Sequence, residues 1–225
     1  MFSDSVADFI ANSMKIELDS IESKLNEPDI QPHQAQIIDA IEYFVTEIQG
    51  YEPHRQKILL PFGISNKTED AIDHYAVTLL NNFDPEDTVY QVIDSIRHAF
   101  SSYAFNGLHQ LYTRQENESW YPKIVLTEVL EPNDISNLEQ EITVYRGCDI
   151  GEYNTSTYGQ AWTTSLDIAR QFAYGHYANQ LWYDESKRVV LKCNYNRSEV
   201  LFSHQSVEFE VVVNAEKLTD VEIYT

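Results

Sequence analysis

Glu-Phe-Glu-Val-Val-Val occupies residues 208–213 and is the stretch that best indicates how the second half of the chain folds. Aromatic and β-branched residues favour a strand here over a helix. Side chains alternate faces along a strand, so the face that carries Phe209 is predicted to lie in the core. The same alternation places Glu208 and Glu210 together on the other face. Taken alone, such a pattern is also ordinary for a strand face exposed to solvent.

More strand-like runs surround this stretch. They are Ile142–Arg146, Arg188–Tyr195, Glu199–Phe202 and Val221–Tyr224. One helix, predicted at Asp167–Tyr174, interrupts them. Strands that follow one another with few helices between them indicate an antiparallel sheet.

Helical periodicity dominates the first part of the chain instead. Its apolar residues recur at intervals of three and four in four stripes, which begin at Ile10, Ile37, Ile72 and Val89. The first stripe predicts one continuous helical face from Ile10 to Leu25. The last helix is predicted to open at Asp84-Pro85, with an acidic cap and proline at its first position.

The predicted fold class is therefore α+β. A helical region is expected at residues 1–117 and a β-rich domain at 118–225, with a soft boundary that also allows one compact unit.

Acidic residues run through the whole chain. Its 225 residues include 36 Asp or Glu and 15 Lys or Arg, a net charge of −21, of which −11 lies up to Gln115 and −10 beyond. This balance argues against a general basic surface for nucleic acid. With no long apolar run and no signal-like N-terminus, we expect no membrane partner and a cytoplasmic location. Cys148 and Cys193 are expected to be free thiols, and no metal-ligand spacing is present.

An arginine and a hydroxyl cluster are the other residues suited to chemistry. Alternation along the strand places Arg146 on the same face as Val144, where a guanidinium needs a phosphate or carboxylate partner or must extend to water. Thr163-Thr164-Ser165 ends a predicted strand, and Ser165 is a good N-cap for the helix that follows.

In chain order, an arginine, a hydroxyl cluster and Glu-x-Glu resemble the mono-ADP-ribosyltransferases of the R-S-E type. In that family an arginine ends the first strand, a Ser-Thr-Ser element precedes a short helix, and a Glu-x-Glu closes the site. The matching residues here lie between about 140 and 225. The chain departs from the pattern at Thr163, where the family has serine, and Ser165 is the alternative position for the catalytic hydroxyl.

The resemblance implies a split β-sandwich of two small antiparallel sheets around a cleft that binds NAD as a co-substrate, without a metal. Arg146 would hold the phosphates and nicotinamide ribose of NAD, and Thr163 would orient the catalytic glutamate. Glu210 would accept a hydrogen bond from the ribose 2′-hydroxyl and stabilise the oxocarbenium-like cation as nicotinamide leaves. Glu208 would orient or deprotonate the acceptor.

Further cofactor-binding positions follow from the same resemblance. Gly147, Thr164 and Ser165 would line the NAD site beside the residues named above. Phe172 and Tyr174 would stack on nicotinamide, with core packing as the alternative for either ring and the favoured one for Phe172.

The function implied is transfer of ADP-ribose from NAD to a macromolecule, with protein arginine favoured as the acceptor. Such a glycosyltransferase would suit a phage-conflict effector or a toxin. The alternatives are ADP-ribosylation of a nucleobase in RNA or DNA and a catalytically inactive binding module. The helical region would contact the acceptor, bind a neutralising antitoxin or another protein, or pack as a lid.

Overall fold

The computed structural model describes residues 2–51, 67–106, 120–180 and 183–224. These residues divide into two compact units, a helical unit of residues 2–106 with 120–125 and a second unit of residues 126–224. The segment 120–125, placed by the sequence in the β-rich part, thus belongs with the helices. Among the described residues, no helix combines the length and apolar character needed to cross a membrane.

Five helices build the described part of the first unit. Their bounds are α1 Asp4–Asp8, α2 Leu18–Leu25, α3 Gln34–Tyr51, α4 Lys67–Leu80 and α5 Thr88–Asn106, with a π-helical turn at Phe9–Ser13 and a 3-10 turn at Gln31–His33. The core lies between α3, α4 and α5, where the Phe44 ring centroid is 6.0 Å from Tyr75 and 5.8 Å from Phe100. Arg97 of α5 forms ion pairs with Asp94 of its own helix and with Asp73 of α4.

The continuous helix expected from Ile10 to Leu25 is broken. Lys15 has a φ of 58°, and Ile16 forms an isolated antiparallel bridge with Ile124. Ile10 and Leu25 are both buried, so the apolar stripe correctly marks the core. The periodicity does not reveal that a distant segment takes the backbone hydrogen bonds of residues 15–17.

The helix α5 begins at Thr88, later than the expected start at Asp84-Pro85. The Asp84 carboxylate accepts from the Glu86 amide, and the Asp87 carboxylate accepts from the Asp84 amide. These acidic side chains close a turn before the helix instead of capping a helix that starts at Pro85.

Outside residues 181–182, the second unit contains six strands and two α-helices. They are β1 Glu141–Asp149, α6 Ile150–Thr155, β2 Ala161–Thr163, α7 Leu166–Tyr174, β3 Arg188–Asn196, β4 Val200–His204, β5 Glu210–Val213 and β6 Glu222–Ile223. The strands form one antiparallel sheet in the order β4-β5-β2-β1-β3-β6. The described residues are therefore α+β, as the sequence predicts.

The described part of this sheet is continuous, which differs from the expected pair of separate small sheets. Its halves β4-β5-β2 and β1-β3-β6 are nevertheless joined narrowly, because β1 and β2 share the single register pair Tyr145–Thr163. Beside this pair, Nη1 of Arg146 donates to the Ala161 carbonyl at 2.7 Å. The arginine thereby strengthens the junction between the halves.

Apolar side chains from both halves of the sheet pack into one core. Val144 of β1, Trp162 of β2, Leu191 of β3 and Val211 of β5 are all buried in it. Cys148 and Cys193 are buried there as free thiols. The outer edge of β4 receives backbone hydrogen bonds from a preceding segment, including Leu130 N to Leu201 O at 2.8 Å.

Helix α7 covers the other face of the sheet. Its Ala169 and Ala173 are buried against Val190 of β3. Arg188, which is itself buried, donates from Nε to the Ala173 carbonyl and from Nη2 to the Phe172 carbonyl. These bonds satisfy carbonyls at the C-terminus of α7 with a cation, as the helix dipole favours.

Candidate active site

Four side chains from four neighbouring strands form a row across the face that carries α7, and we call it the polar row. Glu210 of β5 pairs with Thr163 of β2 and with His204 of β4, and Thr163 pairs in turn with Tyr145 of β1. Residues directly opposite each other in antiparallel strands project to the same face. The polar row is thus His204, Glu210, Thr163 and Tyr145, in that order across the sheet.

Lys192 continues the polar row onto the next strand, β3. Lys192 of β3 lies opposite Tyr145, and its Nζ is 3.0 Å from Oε1 of Glu222 on β6. The Tyr145 ring is edge-on to Tyr224, with centroids 5.9 Å apart. This face therefore carries an aromatic ring on the second strand from Glu210 and an ammonium group on the third.

Glu210 is the least satisfied polar group of the row. Its Oε1 is buried and has no hydrogen-bond partner among the described residues. Burial raises the pKa of this carboxyl well above its ordinary value of 4.5, and repulsion from the Glu208 carboxylate raises the same pKa further. An acidic group with an unused buried oxygen and a perturbed pKa is a candidate functional residue.

The Thr163 hydroxyl fixes the backbone around Glu210. Its Oγ1 donates to the Glu208 carbonyl at 2.7 Å and accepts from the Ser165 amide at 3.0 Å. Ser165 Oγ in turn accepts from the Ile168 amide and caps α7, as the sequence predicts. Strand register therefore places Thr163 beside Glu210. The Ser165 hydroxyl is used separately, as the cap of α7.

Gln205 anchors the loop of residues 205–209 that joins β4 to β5. Its Oε1 accepts from Thr164 Oγ1 at 2.8 Å, and its Nε2 donates to the Glu210 carbonyl at 3.0 Å. Its amide donates to Oδ2 of Asp134 at 2.7 Å. Hydrogen bonds to Asp134, Thr164 and Glu210 therefore hold the start of this loop in place, and Thr164 contributes one of them.

Glu208 lies outside β5, on the exposed part of this loop. Phe209 has a φ of 50° and is 41% exposed, so the chain turns before the strand begins. The expectations that Phe209 is buried and that Glu208 and Glu210 share a strand face are both wrong. A left-handed residue interrupts the strand alternation on which they rested.

Arg146 is engaged by another part of the protein. Its Nε and Nη2 donate to the two carboxylate oxygens of Glu152 on α6, each at 2.8 Å, while Nη1 binds the Ala161 carbonyl. The two side chains are only 9% and 12% exposed. A carboxylate is one of the partners that the sequence leads us to expect for this guanidinium, and Glu152 supplies it.

Arg146 also points away from the polar row. Tyr145, its neighbour on β1, pairs with Thr163, and successive residues of a strand face opposite sides. Arg146 therefore lies on the sheet face opposite Thr163 and Glu210. The expected single cleft shared by these three residues is not found.

Gly147 and Phe172 have packing contacts in the structure. A Cβ on Gly147 would lie 2.0 Å from the Ala169 carbonyl oxygen and 2.5 Å from the Ala173 nitrogen. Glycine at this position thus permits the close approach of α7. The half-buried Phe172 ring contacts His176, with centroids 5.3 Å apart.

No sequence pattern identified His204, Gln205 or Glu152 as parts of this region. Cross-strand register places His204 there, and hydrogen bonds place Gln205 and Glu152. Strand alternation alone places Tyr145 on the face opposite Arg146, but nothing local indicates its alignment with Thr163.

Comparisons of the chain with protein-family models, curated proteins and solved structures found no match. In the described ranges, no cluster of three or more His, Cys, Asp or Glu side chains is arranged to hold a metal ion. We therefore infer a function from the geometry of the polar row.

Proposed function

We propose that the chain is a mono-ADP-ribosyltransferase that breaks the bond between nicotinamide and ribose in NAD and transfers ADP-ribose to a macromolecular acceptor. The observation that carries the proposal is the buried Oε1 of Glu210, which lacks a partner among the described residues and lies in register with Thr163. A ribose 2′-hydroxyl is a donor that this oxygen would accept. The resemblance of the motifs to the R-S-E family supports the proposal through the same two residues, Thr163 and Glu210.

Glu210 would act on the developing charge. As nicotinamide leaves, positive charge builds on the ribose ring, and an ionised carboxylate held nearby stabilises it. The raised pKa of Glu210 implies that the carboxyl must lose its proton for this role. Binding of NAD would favour that loss, because its nicotinamide ring is itself cationic.

The residues around Glu210 would serve its placement. Thr163 and Gln205 hold the backbone on either side of it through the Glu208 and Glu210 carbonyls. Tyr145 and Lys192 would present a ring and a positive charge to the rest of NAD on the same sheet face.

Arg146 takes a different part in this proposal from the one that the family resemblance implies. Bound to Glu152 and Ala161, it acts as a positioning residue that ties β1 to β2 and α6. NAD phosphates would meet Lys192 instead.

Exposed Glu208 suits an acceptor-handling role, since a carboxylate at the loop surface can meet a guanidinium from a partner protein. We therefore keep protein arginine as the favoured acceptor and a nucleobase as the other one.

The direct test is release of free nicotinamide from NAD by the purified full-length chain, measured by chromatography. Glu210→Gln should abolish most of the release, whereas Glu216→Gln, which changes an exposed carboxylate after β5, should not affect it. Labelled NAD added with a cell lysate then identifies the acceptor. Label that a protease removes indicates protein, and label that a nuclease removes indicates nucleic acid.

A catalytically inactive binding module is the second candidate, and the closed Arg146–Glu152 pair favours it. Such a module would release no nicotinamide at any enzyme concentration. Glu210→Gln would then behave like the wild type in every assay with NAD.

A further inference from the structure

A serine and a histidine form a hydrogen-bonded pair at the end of β4. Ser206 Oγ is 2.9 Å from Nε2 of His204. His204 is half-buried and lies directly opposite Glu210, whereas Ser206 is exposed on the following loop. A hydroxyl bound to an imidazole nitrogen is the usual arrangement of a nucleophile with its general base.

The residue between them is held in place. Gln205 is bonded to Asp134, Thr164 and the Glu210 carbonyl, so the backbone that carries His204 and Ser206 is anchored on three sides. The hydroxyl is thereby held against His204, which lies directly opposite Glu210, and a nucleophile already held in place attacks more efficiently.

We propose that Ser206 is a site of self-modification and accepts ADP-ribose from NAD bound at the polar row. This inference rests on the proposed function and specifies a hydroxyl as one acceptor class. The Ser206 oxygen forms a bond to C1 of the nicotinamide ribose while the bond from C1 to the nicotinamide nitrogen breaks. The electron pair of the broken bond stays with nicotinamide, which leaves neutral, and the hydroxyl proton passes to Nε2 of His204.

Two other exposed serines, Ser186 and Ser198, have different partners and provide a comparison. Ser186 Oγ donates to Oδ1 of Asp184 at 2.6 Å, with the same two-residue spacing. Ser198 Oγ likewise donates to Oδ1 of Asn196 at 2.8 Å. Neither acceptor lies in the polar row, so neither hydroxyl is expected to be modified.

The test incubates the full-length chain alone with labelled NAD and maps the label by peptide mass spectrometry, with free nicotinamide measured in the same sample. The expected result is an adduct on Ser206 of the wild-type chain. Ser206→Ala should lose this adduct, and Ser186→Ala should keep it. His204→Gln retains a hydrogen-bond acceptor but cannot take the proton, so the ratio of Ser206 adduct to released nicotinamide should fall about 10²-fold or more.

Each other outcome overturns the inference. Nicotinamide release without an adduct on Ser206 contradicts self-modification and leaves the proposed function standing. Label that neutral hydroxylamine removes is not on a serine hydroxyl, whose acetal linkage resists this reagent, and so contradicts the inference. Absence of nicotinamide release by the wild-type chain removes both this inference and the proposed function.

Discussion

The Thr163 hydroxyl donates a 2.7 Å hydrogen bond to the Glu208 carbonyl and so joins the end of β2 to the loop that presents Glu210. The same oxygen accepts from the Ser165 amide. Both hydrogen bonds of the Thr163 hydroxyl are thus to backbone groups, and Thr163 orients Glu210 through the main chain, two residues before it. In the proposed function, a threonine would serve here as well as the serine of the R-S-E family, since either side chain supplies the hydroxyl.

Removal of this hydroxyl is the first test. Thr163→Val keeps the β-branched shape but leaves the Glu208 carbonyl and the Ser165 amide without their partner. We expect the free energy of unfolding to fall by about 1–3 kcal/mol. We expect nicotinamide release to fall by about 10–100-fold, because a small displacement of Glu210 misplaces the charge. Thr163→Ser should stay close to the wild type, measured by urea unfolding and NAD turnover. Full activity of the valine variant would contradict the positioning role.

Separate roles are expected for the two glutamates. Glu210→Gln removes the negative charge and should lower nicotinamide release and transfer together by about 10²–10³-fold, with little change in NAD affinity. Glu208→Ala should abolish transfer to an acceptor while slow hydrolysis of NAD by water continues. Equal loss of hydrolysis and transfer in Glu208→Ala would contradict this division of roles without affecting the enzyme class.

The stability of the protein should depend on pH through Glu210. Its folded-state pKa lies well above the ordinary 4.5, chiefly through burial, so the folded chain holds this proton more tightly than the unfolded chain does. The stabilisation is fully present below pH 4.5 and is lost as the pH rises towards the folded pKa. Glu210→Gln should therefore raise Tm relative to the wild type by an amount that grows with pH across this window. Glu216→Gln is the control, and a Tm difference for Glu210→Gln that stays constant with pH would contradict the assignment.

The Arg146–Glu152 pair should contribute to folding rather than to NAD binding. Either Arg146→Gln or Glu152→Gln leaves a buried charge without its partner, which costs about 3–5 kcal/mol in unfolding free energy. Arg146→Met combined with Glu152→Leu should recover much of this loss, because no unpaired charge remains. Chemical denaturation of the single and double variants measures the coupling. Full stability of Arg146→Gln together with a large loss of NAD affinity would instead restore the direct phosphate contact implied by the family resemblance.

Close packing of α7 on β1 predicts an unequal response of two glycines to alanine. Gly147→Ala places a Cβ within 2.0 Å of the Ala169 carbonyl and forces α7 to move, so we expect a loss of about 1–3 kcal/mol or more in unfolding free energy. Gly50→Ala in α3 meets nothing within 4 Å and should stabilise the helix by about 0.5–1 kcal/mol. Thermal unfolding of both variants tests this, and a tolerated Gly147→Ala would show that α7 is loosely seated.

Periodicity predicted much of the fold because it depends on short-range geometry. The buried stripe of α5, which includes Val89, Ile93 and Phe100, and the helix after Ser165 both follow from local spacing and capping. The predictions fail where a distant segment or an unusual φ intervenes. At Lys15 a positive φ turns the chain, and the Lys15 carbonyl accepts a hydrogen bond from the Val125 amide. At Phe209 a positive φ interrupts the strand alternation, so that it does not extend back to Glu208.

The sequence by itself determined the α+β character of the chain, the hydroxyl cap at Ser165 and the candidate glutamate Glu210. Only the tertiary structure decided which residues surround that glutamate. Cross-strand register brought His204 and Thr163 beside it and turned Arg146 to the opposite face. The physical reason is that a strand's own sequence sets which side chains share a face, whereas its neighbours and their register depend on hydrogen bonds between segments far apart in the chain.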